Sequence, residues 1–151
     1  MKQKLRAIVI DDMELCRDLL GEIMTDRGYQ ALTFPDVTVC SHFLNDTGCT
    51  RSTACADILL LDNRMSPLKG LDLLELHRCG NCHIPLTSKA IFSGSWTAAE
   101  LKRVEQLGCQ FFHKPYDFEE LSLWLSQQEK SIRSDRELVN VDDIRGGDRA
   151  S

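Results

Sequence analysis

Asp11-Asp12, Asp62, Ser93-Gly94 and Lys114-Pro115 are the residues whose types and placement could do chemistry together. Each group lies at the end of a short apolar run, with His113 between the last run and Lys114: Leu5 to Ile10, Ile58 to Leu61, Ala90 to Phe92 and Gln110 to Phe112. An aspartate after a strand is, by itself, usually a turn former or a helix cap. The combination says more, because four strand ends deliver three carboxylates, one hydroxyl and one ammonium to the same edge. Two carboxylates about 4 Å apart repel by roughly 4 kcal/mol at an effective dielectric of about 20, and three are worse. Gathering them requires a cation or raised pKa values. Lys114 brings one positive charge, and oxygen ligands with open positions suit Mg²⁺. A site so loaded would accept an anion. A phosphoryl group fits, with metal and ammonium neutralising its equatorial oxygens while a carboxylate oxygen attacks in line.

The elements that must position these residues can be read from the apolar pattern. Besides the four runs above, Tyr29 to Phe34 forms a weaker fifth strand candidate. Helical patterns lie between them. Met13 to Arg27 places Leu15, Leu19, Ile23 and Met24 on one side, and Gly28 closes it. Asp36 can cap a helix carrying Val39, Phe43 and Leu44, and Leu71 to His77 forms a third helix candidate. The fourth runs from Thr97 to Leu107 with Gly108 as its stop, and the fifth is capped by Asp117 and carries Leu121, Trp124 and Leu125. Strands that are apolar without alternation belong in a parallel sheet buried on both faces. Alternating strands and helices therefore predict an α/β fold, a doubly wound five-stranded parallel sheet flanked by five helices. In such folds ligands bind beyond the carboxyl ends of the strands, where the chemical residues cluster.

Two segments stand apart. Asn45 to Ala54 is small and polar and reads as a surface loop before the third strand. Beyond about Gln127 the chain turns polar and charged, which predicts one domain over residues 1–126 followed by a helix extension and charged tail or linker over 127–151. There is no internal repeat.

The 151 residues carry a net charge of −5, with 42% hydrophobic and 27% charged side chains, an ordinary globular balance. No clustered Lys/Arg excess marks a nucleic-acid surface, so no direct nucleic-acid contact by this domain is expected. Asp11-Asp12 interrupts the first apolar run too early for a signal peptide, and no segment approaches the roughly 20 apolar residues of a membrane span. The expectation is a cytoplasmic chain with no membrane contact. Its seven cysteines (Cys16, Cys40, Cys49, Cys55, Cys79, Cys82 and Cys109) are then expected to be mostly reduced, several of them as core side chains.

Asp11-Asp12, the run Leu59 to Met65 with Asp62 inside it and Gly70 after it, Ser93-Gly94, and Lys114-Pro115-Tyr116-Asp117 resemble the motif set of response-regulator receiver domains of two-component signalling. The resemblance covers about residues 4–126, in the family's order. It implies a CheY-like, flavodoxin-like fold with Asp62 as phosphoacceptor. It further implies Mg²⁺ held by Asp11, Asp12, Asp62 and the backbone carbonyl of Arg64. Lys114 would pair with the phosphoryl group, and Ser93 would swing in to donate its hydroxyl. Gly94 would leave room and offer an N–H, and Phe111 would be the switch aromatic that turns inward as Ser93 moves. The implied donor is a histidine kinase or histidine phosphotransfer protein. The face of the fourth helix, fifth strand and fifth helix is the implied partner surface, which could also make a homodimer. The chain would catalyse only its own phosphorylation and dephosphorylation, so it is not expected to be an enzyme in the ordinary sense.

The sequence departs from that pattern in three places. Ser66 precedes Pro67, where the family puts proline directly after the Met65 position. Phe111 lacks the hydroxyl of the commoner tyrosine. Arg64 and Ser95, each two residues beyond a site residue, flank the phosphoryl position. Cys79-Gly80-Asn81-Cys82-His83 spells a haem-attachment pattern, but such attachment needs an exported chain; zinc held by Cys79, Cys82 and His83 with Cys49 or Cys55 is another use of the same residues. His77, His83 and His113 lack a nucleophile partner and read as surface or structural. Trp96 either faces a partner beside the site or packs on the fourth helix. Two other functions compete. One is a phosphorylation-independent receiver-like interaction module, for which the Ser66-Pro67 loop is the support. The other is an aspartate-nucleophile phosphatase of the haloacid dehalogenase type, which wants D-x-D where Asp11-Asp12 are adjacent.

Overall fold

The computed structural model describes residues 4–40, 49, 51–65, 68–80 and 82–145. Its sheet has five parallel strands: β1 (Arg6–Ile10), β2 (Gln30–Phe34), β3 (Ile58–Asp62), β4 (Lys89–Ser93) and β5 (Gln110–His113). Their order across the sheet is β2-β1-β3-β4-β5. Every residue of β1, β3 and β4 is buried, the polar Arg6, Asp62, Lys89 and Ser93 at their ends included, and the apolar runs between suit strands covered on both faces. Five α-helices are described: α1 (Glu14–Asp26), α2 (Gly70–Cys79), α3 (Ala98–Leu107), α4 (Phe118–Glu129) and α5 (Val141–Arg145). Here α3 and α4 are the fourth and fifth helix candidates of the sequence. Past Asp36 the chain makes a short 3₁₀ turn, Val37–Cys40. Phe43 and Leu44, the rest of the expected second helix, lie outside the described residues, as do residues 45–48 and 50 of the Asn45–Ala54 segment.

The core divides into two layers. Ile8, Ile10, Leu59, Leu61 and Ile91 pack beneath α2 and α3. Ala7, Val9, Leu60, Phe92 and Phe112 pack beneath α1 and α4. Helix ends follow local chemistry. Thr97 and Glu100 form a reciprocal capping box at α3, and Gly108 closes that helix at φ 81°. Asp117 accepts from the Glu120 N–H to start α4. Gly28 turns the chain into β2 at φ 102°.

One helix face differs from expectation. α1 buries Leu20, Gly21 and Met24, with Ile23 half-covered, while Leu15 is 81% and Leu19 46% exposed. Helical spacing fits a stripe through either set. The small Gly21 settles it, because that face can lie close to the sheet, with only 3.1 Å between a Cβ placed there and Thr33 Cγ2.

Beyond Glu129 the chain folds back along the amino-terminal edge of the sheet. Arg136 clamps Asp57 with two hydrogen bonds, at 2.7 and 2.6 Å. Leu138 bridges Ala54 in parallel, the Val139 N–H donates to the Ala54 carbonyl, and the Val139 carbonyl accepts from Arg6. Ile144 of α5 is buried in the α2-side core. Where the sequence suggests a loose end, residues 136–144 supply both charge pairing and apolar cover.

Candidate functional site

Asp11, Asp12, Asp62, Ser93 and Lys114 meet at the carboxyl edge of the sheet. β1 hands off to Asp11-Asp12, β3 ends on Asp62, β4 ends on Ser93, and Lys114 follows β5. One carboxylate oxygen from each of Asp11, Asp12 and Asp62 can be chosen so that all three lie within 4.8 Å of one another. Asp11 and Asp62 are buried, whereas Asp12 is exposed. The Lys114 ammonium bridges the two buried carboxylates, 3.0 Å from Asp11 Oδ2 and 3.1 Å from Asp62 Oδ1.

The local backbone explains why these groups hold still. Asp11 Oδ1 accepts from the Met13 N–H at 2.9 Å, and the Asp11 carbonyl accepts from Arg17 Nη1 at 3.0 Å. The Lys114 N–H donates to the Ser93 carbonyl at 2.9 Å, tying the ends of β4 and β5 together, and the Lys114–Pro115 bond is cis. Gly70 is needed for contact: a Cβ there would sit 2.5 Å from the Asp62 carbonyl oxygen and 2.9 Å from Ile91 Cδ1. Beside Gly94 the space is open.

Three carboxylates face one lysine, and the titration of the site reflects it. Burial, and then the charge of Asp11, push the Asp62 carboxyl above its ordinary range, against the opposing pull of Lys114 and the Arg64 N–H. Burial acts to lower the Lys114 ammonium, but its hydrogen bonds to Asp11 and Asp62 and their charges outweigh burial and raise it. The residual deficit of positive charge, the oxygen-only donors and the exposure of Asp12 fit a hard divalent cation such as Mg²⁺.

The remaining sequence candidates sit around this centre. Ser93 is fully buried; its hydroxyl donates to the Ser95 carbonyl at 2.8 Å. Arg64 Nη2 reaches across to Ser95 Oγ, so the two flanking residues join over the site. Phe111 is half-buried on β5 and meets Trp96 edge-to-face at 5.7 Å. Trp96 donates from Nε1 to the Phe112 carbonyl at 3.1 Å, which places it in the packing between the start of α3 and β5. Ser66 and Pro67 lie outside the described residues. Cys79, Cys82 and His83 do not converge. Cys79 is exposed, Cys82 Sγ accepts from Lys89, and His83 Nε2 lies 2.8 Å from the Arg51 carbonyl.

Sequence reasoning missed Asn63. Its side-chain oxygen accepts from the Leu71 N–H at 3.1 Å, while Nδ2 donates to Glu100 Oε2 at 2.8 Å. It thus ties the loop after Asp62 to the starts of both α2 and α3. Its position next to Asp62 was the only available signal.

No family model matches the sequence, and no curated protein does. Solved structures do match. The chain is similar to a response regulator receiver protein from Pseudomonas putida, with 23% identity and a TM-score of 0.69 over 84% of this chain and 99% of that one. Full-length FixJ from B. japonicum matches at 22% identity and TM-score 0.65, over 86% of this chain and 59% of that one. The Vibrio cholerae chemotaxis protein CheY4 matches at 16% identity and TM-score 0.64, over 83% of this chain and 98% of that one. The fold is that of response-regulator receiver domains.

Proposed function

We propose that this receiver-fold chain is a phosphoacceptor of two-component signalling, in which Asp62 takes a phosphoryl group from a phosphohistidine on a kinase or phosphotransfer protein. The observation that carries the reading is the gathering of the Asp11, Asp12 and Asp62 carboxylates around a single bridging ammonium. An Asp62 carboxylate oxygen forms the new P–O bond as the donor's P–N bond breaks, and the imidazole keeps the leaving electron pair. Lys114, already against Asp62, neutralises charge on the transferring group. Ser93 must give up its bond to the Ser95 carbonyl to donate to a phosphoryl oxygen, and Gly94 leaves the space open. Asp11, Asp12, Asp62 and the Arg64 carbonyl would hold Mg²⁺, which supplies charge neutralisation for the phosphoryl oxygens.

Movement of Ser93 would reach Phe111 through Trp96, altering the face built by α3, β5 and α4. That face already has a groove between β5 and α4 lined by Phe111, His113, Glu120 and the exposed Leu123. It is the proposed partner surface, and a second copy of the chain is one possible occupant. The chemistry acts on the chain itself and not on a diffusible substrate. A kinase-fed switch of this kind works in the cytoplasm; no described helix is long and apolar enough to cross a membrane.

Incubation with acetyl phosphate and Mg²⁺, followed by intact-mass measurement, tests the proposal. One phosphoryl adduct is expected, absent with EDTA and absent in Asp62→Asn. No adduct under any phosphodonor would leave the phosphorylation-independent interaction module as the surviving reading.

A further inference from the structure

A second concentration of reactive side chains lies away from the acidic edge, on the sheet face beneath α2. Cys40 ends the 3₁₀ turn, Cys49 and Cys55 lie on the approach to β3, and Cys82 lies between α2 and β4. These four thiols, all free, line one closed-in cavity of about 20 Å³. That is room for about one water-sized centre. Two cations press against the same sulfurs. Lys89, only 1% exposed at the start of β4, places Nζ 3.3 Å from Cys82 Sγ and 2.8 Å from His77 Nδ1. Arg51 donates from Nη1 to Cys55 Sγ at 3.0 Å. Among the described residues, neither cation has a carboxylate within ion-pairing distance.

A buried ammonium facing an imidazole and a thiol is a costly arrangement, because burial penalises a charge that lacks a counter-ion. Burial pulls the Lys89 ammonium down from its ordinary range and pushes the Cys40 thiol up to about 12. The chamber therefore sets four thiols beside two cations that have no carboxylate partner among the described residues. Thiolates would satisfy both, and a metal ion is what makes thiolates stable in such a place.

We propose that this chamber is a binding site for a soft, thiophilic divalent cation of the zinc class, with Cys40, Cys49, Cys55 and Cys82 as ligands and Lys89 and Arg51 as charge-balancing partners. Four thiolates around a dication leave two negative charges, and the two side-chain cations cancel them. Each ligand releases its proton on binding, while the N–H···S contacts of Lys89 and Arg51 persist onto the thiolates. In this structure the sulfurs do not stand at ligand spacing. Among the described residues, three or more ligand-type atoms approach within 4.8 Å of one another only at Asp11, Asp12 and Asp62. Closing the shell requires the thiol side chains to rotate into the cavity. This ligand set differs from one built on Cys79 and His83, both of which face outward.

Anaerobic titration of the reduced full chain with Co²⁺ tests the site. Expected is proton release as Co²⁺ binds, with a thiolate-to-cobalt charge-transfer absorption that saturates at one equivalent and is bleached when Zn²⁺ replaces Co²⁺. Asp62→Asn and Cys79→Ser should retain the band, and Cys55→Ser and Cys82→Ser should lose it. Chamber variants can unfold, so the unmodified protein is also loaded with one equivalent of Zn²⁺ and read by zinc-edge X-ray absorption. A four-sulfur shell at about 2.3 Å is expected. A shell of oxygen or nitrogen, absence of the cobalt band, or a band that survives Cys82→Ser in folded protein overturns the proposal.

Discussion

β3 has a buried aspartate at each end, Asp57 leading in and Asp62 closing it, 9% and 5% exposed respectively. Asp57 is fully partnered. Arg136 grips both of its oxygens, and the Arg6 N–H donates to Oδ2 at 3.0 Å. Asp62 instead shares a single ammonium with Asp11 and has Asp12 close by. Residue type, strand and burial are nearly the same, so the partner count separates the two roles. A carboxylate with a complete set of donors holds structure together. One left short of positive charge retains the capacity to bind a cation and receive an anion.

The sharpest way to break this contrast is to neutralise each aspartate in turn. Asp62→Asn should abolish phosphoryl uptake from acetyl phosphate while the protein stays folded. Asp57→Asn should keep uptake and lose stability, with intact mass and circular dichroism reading the two outcomes. Next in size, Arg136→Ala leaves Asp57 buried without its guanidinium, a loss on the order of 3 kcal/mol in urea titration. An unchanged midpoint would mean that the returning tail contributes nothing. Gly70→Ala forces a methyl group against the Asp62 carbonyl and should cost about 1–3 kcal/mol, with phosphoryl uptake reduced because the loop carrying Asp62 must shift.

The smallest effect concerns pH. Asp62 binds its proton more tightly in the folded protein than in the unfolded chain, because burial and Asp11 raise its pKa. Metal-free stability contributed by this group is therefore greatest in acid and declines as pH rises through the raised folded value. Asp62→Asn removes that penalty. Without Mg²⁺ it should raise the thermal midpoint at neutral pH, and the advantage should vanish below about pH 4. Mg²⁺ should shrink the difference. A midpoint for Asp62→Asn at or below that of the parent at neutral pH would show that Lys114 already compensates the carboxylates.

The acidic end of this comparison was legible in the sequence, and the other end was not. Short apolar runs fixed the five strands, and residues at their ends identified the edge that gathers Asp11, Asp12, Asp62, Ser93 and Lys114. Glycine positions announced Gly28 and Gly108, because a positive φ leaves few alternatives. Asp57 with Arg136 was invisible, since 79 residues separate the partners and nothing local marks either as paired. Lys89 was equally hidden: a lysine at a strand start is normally solvated, and only the fold shows it enclosed beside His77 and Cys82. The buried stripe of α1 was misread because two leucine rows share the same helical period, and the small residue that selects between them is recognisable only against its neighbour, Thr33.

Asn63 has a mechanical consequence. One side chain moors the segment after Asp62 to Leu71 of α2 and to the carboxylate of Glu100, which in turn locks the first turn of α3. Any displacement at the end of β3 must drag that turn along or snap the 2.8 Å link to Glu100. Strand tip and helix therefore behave as lever and load, sharing one pivot about a single amide.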